Sequence, residues 1–118
     1  MAGSVTIQGQ ITGTPVGTVS VGPYNIAGNT TNQYQADAVI LASGTNTITV
    51  PSWAAAVIIN FATANAVVVT LKGVAGDTGI ALDPNGITIL DFNDPTPPAN
   101  FVLSAASLLT NYTQIIFV

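Results

Sequence analysis

The sequence lacks several of the side chains on which protein chemistry most often depends. It contains no His, Cys, Glu or Arg, and its only basic residue is Lys72. A Ser-His-Asp triad, a Cys-His pair and a thiolate or imidazole zinc site are therefore excluded. Any general acid or base would have to be Asp, Tyr or Lys72. Disulfides are excluded as well, so packing must hold the fold together.

Charge is also scarce. Charged residues make up 5% of the 118 residues and the formal net charge is −4, whereas an ordinary soluble domain has roughly 25% charged residues. A neutral surface loses little solvation when another protein covers it, and it gives its own copies little mutual repulsion. Nucleic acid is not an expected partner, because neutralising phosphates requires clustered Lys or Arg. The composition favours association with protein.

One long apolar window approaches the length of a membrane span. It covers residues 54–71, but Asn60, Thr63 and Asn65 interrupt its middle, where polar groups are costly in a bilayer. We interpret it as two strands and a turn, and we expect no membrane partner. No positively charged N-terminal region precedes an apolar stretch, so no secretory signal is expected in the sequence as given.

Short runs of alternating β-branched residues, separated by Gly, Pro, Asn and Ser, recur along the whole chain. This pattern is typical of an all-β protein with a single antiparallel β-sandwich or a jelly-roll-like domain. The predicted strands cover residues 5–11, 18–26, 35–41, 46–50, 56–61, 66–72, 79–82, 87–92, 101–104 and 113–118. We divide the chain into a Gly/Thr-rich N-terminal segment at 1–30, either an arm or a pair of edge strands, and a sandwich domain at 31–118.

Two hairpins are predicted within the sandwich. The strands at 56–61 and 66–72 are expected to form the central pair, joined through residues 62–65, and Asp83-Pro84-Asn85-Gly86 is a strong turn sequence for a second hairpin. Because alternate residues of a strand share a face, the central pair predicts a set of core residues. That set is Val57, Ile59, Phe61, Val67, Val69 and Leu71. The prolines at 94–98 predict an extended connector.

The best enzymatic alternative is Asp77-Thr78-Gly79, which matches the short signature of aspartic proteases. In those enzymes two symmetric Asp residues share a proton and activate water, so a homodimeric hydrolase using Asp77 is a possible function. The context argues against it, because Ala75-Gly76 replaces the hydrophobic strand that should precede the motif and Ile80 replaces the small residue that should follow. A solvated turn aspartate is the commoner explanation.

Other site patterns have ordinary structural explanations. Gly73, Gly76 and Gly79 are spaced as GxxGxxG with no following helix, which indicates a broad turn and not a phosphate loop. Asp83, Asp91 and Asp94 could hold Ca²⁺ in principle, but the dense oxygen spacing of a calcium loop is absent. We therefore expect no catalytic, cofactor-binding or metal-binding residues and no cofactor.

The aromatic residues are few. A carbohydrate-binding module would need exposed rings for stacking, and the available ones are Trp53, Tyr24, Tyr34 and Tyr112. This function is disfavoured for that reason. Trp53 follows Pro51-Ser52 and is expected to cap the core or to anchor an interface, with the core preferred.

One stretch resembles known proteins. Residues 66–84, AVVVTLKGVAGDTGIALDP, together with TNTITVP at 45–51 and the Gly-Thr-rich opening with Val21-Gly22-Pro23, are similar to small structural proteins of tailed bacteriophage virions. The resemblance implies a protein of the capsid decoration (cement) type, with a phage tail or fibre part as the alternative. It also implies self-association into a symmetric homo-oligomer, with a trimer expected, and contact with the major capsid protein or another virion protein. The expected location is the virion, assembled in the host cytoplasm. No functional residues carry over, because such proteins act through surfaces.

Overall fold

The structure, a computed structural model, describes residues 4–13, 17–27, 33–61, 65–92 and 96–118. The regular secondary structure in these ranges is entirely β, and each predicted strand overlaps an observed one. The strands are β1 (Ser4–Gly13), β2 (Gly17–Ala27), β3 (Gln35–Val39), β4 (Gly44–Thr49), β5 (Ala56–Phe61), β6 (Val69–Lys72), β7 (Ile80–Ala81), β8 (Ile87–Asp91), β9 (Asn100–Ala105) and β10 (Thr113–Phe117).

Eight of these strands form two antiparallel sheets. Sheet I has the order β3-β10-β5-β8 and sheet II has the order β4-β9-β6-β7. The pairs are nested along the chain: β3 pairs with β10, β4 with β9, β5 with β8, and β6 with β7. Successive pairs alternate between the two sheets, which is the arrangement of a jelly roll. The prediction of an antiparallel β-sandwich is confirmed.

The core lies between the two sheets. Val57, Ile59 and Phe61 of β5 are buried, as the alternation predicts, and Val69 of β6 is 2% exposed. Val67 and Leu71 are partly buried and pack against the same cluster, as does Trp53, which agrees with the expected core position of Trp53. The buried members of the cluster are Leu41, Val50, Ala54, Val57, Ile59, Phe61, Val69, Phe101, Leu103, Ala105, Leu109, Ile115 and Phe117.

The predicted central hairpin is wrong. β5 belongs to sheet I and β6 to sheet II, so these strands face each other across the core instead of pairing side by side. Residues 62–64 lie outside the described residues. Beyond them the Asn65 side chain donates to Val67 O and accepts from Val67 N. Because of this local turn, β6 begins only at Val69, and the connection from β5 is longer than a tight hairpin allows. The apolar window at 54–71 thus divides between two sheets, and no helix in the described ranges is long and apolar enough to cross a bilayer.

The second predicted hairpin is also wrong, although its turn is present. Gly86 N donates to Asp83 O at 3.3 Å, and Asn85 N donates to Asp83 Oδ1 at 2.9 Å. The flanking strands do not pair with each other, because β7 pairs with β6 and β8 with β5. The turn therefore carries the chain from one sheet to the other. Of the predicted proline connector, Thr96 to Pro98 lies in irregular structure before β9, and residues 94 and 95 lie outside the described residues.

The N-terminal segment contains a two-stranded antiparallel sheet of its own. β1 pairs with β2 from Ser4↔Ala27 to Gly13↔Gly17, and the register shifts between Ile7 and Gly9. Among the described residues, β1 and β2 pair only with each other. The division at residue 30 into an N-terminal segment and a sandwich stays a prediction.

Candidate interaction surface

The two outer faces of the sandwich differ in chemistry. On sheet II the outward positions are mostly hydroxyl-bearing and exposed, and Thr45, Thr47 and Thr49 of β4 are typical. Val102 also points outward but is only 3% exposed. Its strand neighbours are Thr47 and Lys72, and the long aliphatic stem of a Lys covers apolar surface well. The outer face of sheet II is therefore a polar, Thr-rich surface.

The outer face of sheet I is aliphatic. Since Val57, Ile59, Ile115 and Phe117 point into the core, the residues between them point outward. The strand register places four of these outward residues directly opposite one another in a row across the sheet. The row is Ala36, Ile116, Ile58 and Ile89.

A second apolar cluster supports this face. Ala56 and Val118 are buried, and Ile89 and Ile116 pack against them, in a cluster separate from the main core. We call the outward row of Ala36, Ile116, Ile58 and Ile89 the aliphatic face. Its three isoleucines are half-buried, and the buried residues Ala56 and Val118 support it from the next row of the sheet. None of its four residues is charged or polar, so the aliphatic face can bind another surface only through shape and apolar contact.

Polar groups border the aliphatic face on both sides, and on one side the exposed Asp91 lies opposite Ala56. The next row across the central strands holds Asn60 and Gln114, and Asn60 Nδ2 donates to Gln114 Oε1 at 3.2 Å. Tyr34 is 61% exposed. It lines a hollow of about 200 Å³ beside the face, together with Ala36, Asp37, Ala38, Gln114 and Ile116. An apolar centre with a polar border is the usual composition of a protein-binding surface.

The size of the aliphatic face limits what it can do alone. Four strands spaced about 4.8 Å apart, each with about five residues rising 3.4 Å, give the whole outer side of sheet I roughly 330 Å², and the aliphatic face is only part of that area. A standard protein–protein interface buries about 800 Å² per partner. A stable complex therefore needs a further contact surface besides this face.

An apolar cleft lies at the edge of the sandwich, where β7 and β8 end the two sheets. It has a volume of about 430 Å³, and its apolar lining comes from Leu71, Ile80, Leu90 and Phe101. The cleft exists because β7 is only two residues long and leaves this edge of the core incompletely covered. Ile80, at the cleft, is 69% exposed.

Asp77 lies in the β6–β7 loop and lines this cleft together with Lys72, and its carboxylate stabilises the loop. Asp77 Oδ2 accepts hydrogen bonds from Gly73 N at 3.1 Å and Val74 N at 3.0 Å. Its own N–H donates to Val74 O. Lys72 Nζ donates to Ala75 O at 3.4 Å in the same loop. Gly73, Gly76 and Gly79 all fall in this turn region, as predicted.

The remaining sequence candidates do not converge on one site. Asp83 is engaged in its own turn and Asp91 ends β8, while Asp94 lies outside the described residues. In the part of the chain that the structure describes, no three acidic, His or Cys side chains are close enough to hold a metal ion.

The exposed tyrosines do not form a stacking platform. Tyr34 precedes β3 and Tyr112 precedes β10, and these two strands are antiparallel neighbours. The register therefore places the two rings at opposite ends of sheet I, about 20 Å apart at 3.4 Å per residue. The side chain of Tyr24 lies outside the described residues.

Sequence reasoning missed the aliphatic face, although a signal for it was present. Val57-Ile58-Ile59 and Ile115-Ile116-Phe117 are unbroken apolar runs. A strand with one solvated face should alternate between apolar and polar residues, whereas an unbroken apolar run indicates a strand covered on both faces.

Comparison of the chain with protein-family models, curated proteins and solved structures finds no match.

Proposed function

We propose that this chain is a non-enzymatic virion structural protein of the capsid decoration type, which acts by packing against copies of itself and against another virion protein. The observation that carries this proposal is the aliphatic face. Three isoleucines stand side by side on the outer surface of a sheet, with no charge among them. Contiguous apolar patches on the surface of a soluble domain are often functional.

Two further properties support the proposal. The chain is almost uncharged, so covering its surface requires little desolvation of ions. The jelly roll is a frequent fold of viral capsid proteins, an argument by analogy because the same fold also occurs in lectins. The Asp77 carboxylate is already engaged in holding its own loop, which favours a structural role for that residue over a catalytic one.

Substitution of Ile58 tests the proposal most directly. Ile58 is at the centre of the aliphatic face, between Ile116 and Ile89. In Ile58→Asp the new carboxylate replaces a half-buried side chain on the outer side of sheet I, and association would bury it completely without a partner. We expect the natural chain to form a symmetric oligomer, a trimer, and Ile58→Asp to be a monomer that keeps the circular dichroism of the folded β-sandwich.

Thr47→Asp is the matched control, since Thr47 is an exposed outward residue of sheet II. It adds the same charge to the opposite face and should leave the oligomer intact. Light scattering across protein and salt concentrations measures both variants. The natural oligomer should change little between low and moderate salt, because few charges are available to the interface. A natural chain that is strictly monomeric, or two variants that dissociate equally, would contradict the proposal.

The place in the particle needs a separate measurement. Gold-labelled antibody against the chain, applied to purified virions, distinguishes the shell from the tail. Label over the shell supports a decoration role, whereas label confined to the tail replaces it with a tail or fibre role. Virions that contain none of the chain would overturn the assignment to the virion.

A further inference from the structure

The edge of sheet I at β8 has backbone groups directed away from the sheet. Val118 and Ala56 exchange two hydrogen bonds, Val118 N to Ala56 O at 3.1 Å and Ala56 N to Val118 O at 3.2 Å. Backbone groups of alternate residues point to opposite sides of a strand. The backbone N–H and C=O groups of Ala56 therefore point toward β10, and those of Val57 point toward β8, where Val57 is opposite Leu90.

The same alternation along β8 directs the backbone N–H and C=O groups of Leu90 and Thr88 toward β5. The N–H and C=O groups of Ile87, Ile89 and Asp91 then point to the outer edge, where no strand pairs with them among the described residues. These three residues offer a row of donors and acceptors to an added strand.

Two of the other three sheet edges are less suited to pairing than β8. On β3, Asp37 shares the core-facing parity of Val39 and is held by Gln35, whose Nε2 donates to Asp37 Oδ2 at 2.7 Å. A charge at such a position on an edge strand discourages pairing. The β4 edge is uncharged, but the cleft lies at the opposite edge of its sheet and the outer face of β4 is polar. β7 is too short to template a strand. β8 is Ile-Thr-Ile-Leu-Asp, with no proline and no charge before its last residue.

The cleft lies against the same edge. Leu90 of β8 lines it together with Leu71, Ile80 and Phe101. A strand added to β8 would place alternate side chains over this opening and the others on the side of the aliphatic face. Strand addition of this kind combines main-chain hydrogen bonds with side-chain pockets.

The N-terminal sheet of another copy suits this edge. β1 and β2 contain no charged residue, and a lone two-stranded sheet is marginally stable in water unless further strands or a packing surface support it. β2 contains Pro23, which lacks a donor, whereas β1 has no proline. The edge of β1 is therefore the better partner for β8.

Chain order favours a second copy as the partner. The N-terminal sheet leads into β3, which is one edge of sheet I, and β8 is the opposite edge. A donor at one edge and an acceptor at the other give a head-to-tail contact, and such contacts close into rings such as trimers.

We propose that β1 of one copy adds to the β8 edge of the next, extending sheet I and covering the cleft, so that successive copies close a ring. This inference rests on the proposed self-association and supplies the contact area that the aliphatic face lacks.

Disulfide trapping tests it, because the natural chain has no cysteine. Paired strand residues lie about 4.5–5.5 Å apart at Cα, within the range that a disulfide spans. One chain carries Ile87→Cys, at a site that is 61% exposed, together with a C-terminal tag. It is mixed with untagged chains that each carry a single cysteine in β1. These β1 variants are Ser4→Cys, Thr6→Cys, Gln8→Cys, Gln10→Cys and Thr12→Cys.

After oxidation, we expect one or two adjacent β1 positions to give a linked species with the mass of one tagged and one untagged chain. Its yield should be several-fold above that of a tagged Thr47→Cys control on sheet II. A further chain that carries Ile87→Cys together with the most reactive β1 cysteine should also link between copies and not within one.

The outcomes separate the two proposals. If light scattering shows the natural oligomer but no β1 position exceeds the control, strand addition is refuted while association through the aliphatic face stands. Closure within a single chain would also refute the second-copy arrangement. A monomeric natural chain would contradict the proposed function itself.

Discussion

Substitution of Gly79 by alanine tests how closely β7 approaches β6. Gly79 has φ of +77° and immediately precedes β7. A Cβ built there would lie 2.5 Å from Leu71 O and 2.6 Å from Lys72 Cγ. The Leu71 carbonyl belongs to the backbone of a strand paired on both sides, so it cannot move without disturbing sheet II.

Three terms set the expected size of the effect. The left-handed backbone conformation costs alanine about 1–2 kcal/mol. Relieving the overlap with β6 costs about 1–3 kcal/mol, as for other overpacked sites. Alanine also restricts the unfolded chain, which offsets about 0.4–1 kcal/mol. We expect Gly79→Ala to lower the free energy of unfolding by about 2–4 kcal/mol.

Two other glycines separate these terms. Gly44 has φ of +89° but no atom within 4 Å of its built Cβ, so Gly44→Ala tests the backbone term alone. Gly76 has neither a positive φ nor a close neighbour, so Gly76→Ala should be neutral or slightly stabilising. Denaturant unfolding followed by the fluorescence of Trp53, the single tryptophan at the core, measures all three.

The unfolding series should be run at several protein concentrations, because association stabilises the folded chain by mass action. The expected order of stability is Gly76→Ala, then Gly44→Ala, then Gly79→Ala. Equal stability of Gly79→Ala and Gly76→Ala would refute the geometry of the loop. Equal destabilisation by Gly44→Ala and Gly79→Ala would show that the approach to β6 contributes nothing.

Two further predictions concern the interior. Val69→Asp buries an unpaired charge at a site that is 2% exposed, whereas Val68→Asp adds the same charge at a neighbouring site that is 58% exposed. Val69→Asp should lower the free energy of unfolding by several kcal/mol, and Val68→Asp by well under about 1 kcal/mol. Similar values for the two variants in denaturant melts would show that the core face of β6 is wrongly assigned. Thr113 is fully buried and its Oγ1 has no hydrogen-bond partner among the described residues, so Thr113→Val should raise the free energy of unfolding by about 1 kcal/mol. Thr113→Ser is the control, because it keeps the hydroxyl and loses the methyl group, and it should destabilise the fold. If Thr113→Val proved destabilising as well, the assignment of an unsatisfied hydroxyl would be contradicted.

Much of the local structure could be predicted from the residues. β-branched alternation located every strand of the sandwich, because side chains of a strand alternate between two faces whatever the strand pairs with. The same alternation identified Val57, Ile59 and Phe61 as core. The Asp83 turn was predictable too, since Asp, Pro, Asn and Gly each favour a turn through their own backbone and side-chain chemistry.

Strand pairing could not be predicted in the same way. A turn such as Asp83-Pro84-Asn85-Gly86 reverses the chain whether the next strand joins the same sheet or crosses to the other one. Local propensity does not distinguish these outcomes, because the difference arises from partners far away in sequence. β5 is held between β10 and β8, and the contact of β10 with β5 joins residues more than fifty positions apart.

The candidate surface shows the same division. The sequence by itself determined that the chain is nearly uncharged, all-β, and without the side chains for thiol, imidazole or zinc chemistry, because these are properties of composition and local pattern. Only the tertiary structure decided that Ile58, Ile89 and Ile116 share one outer face and that β8 ends a sheet. Those facts depend on which strands are neighbours and in which register, and a shift of one residue would have turned the same isoleucines into the core.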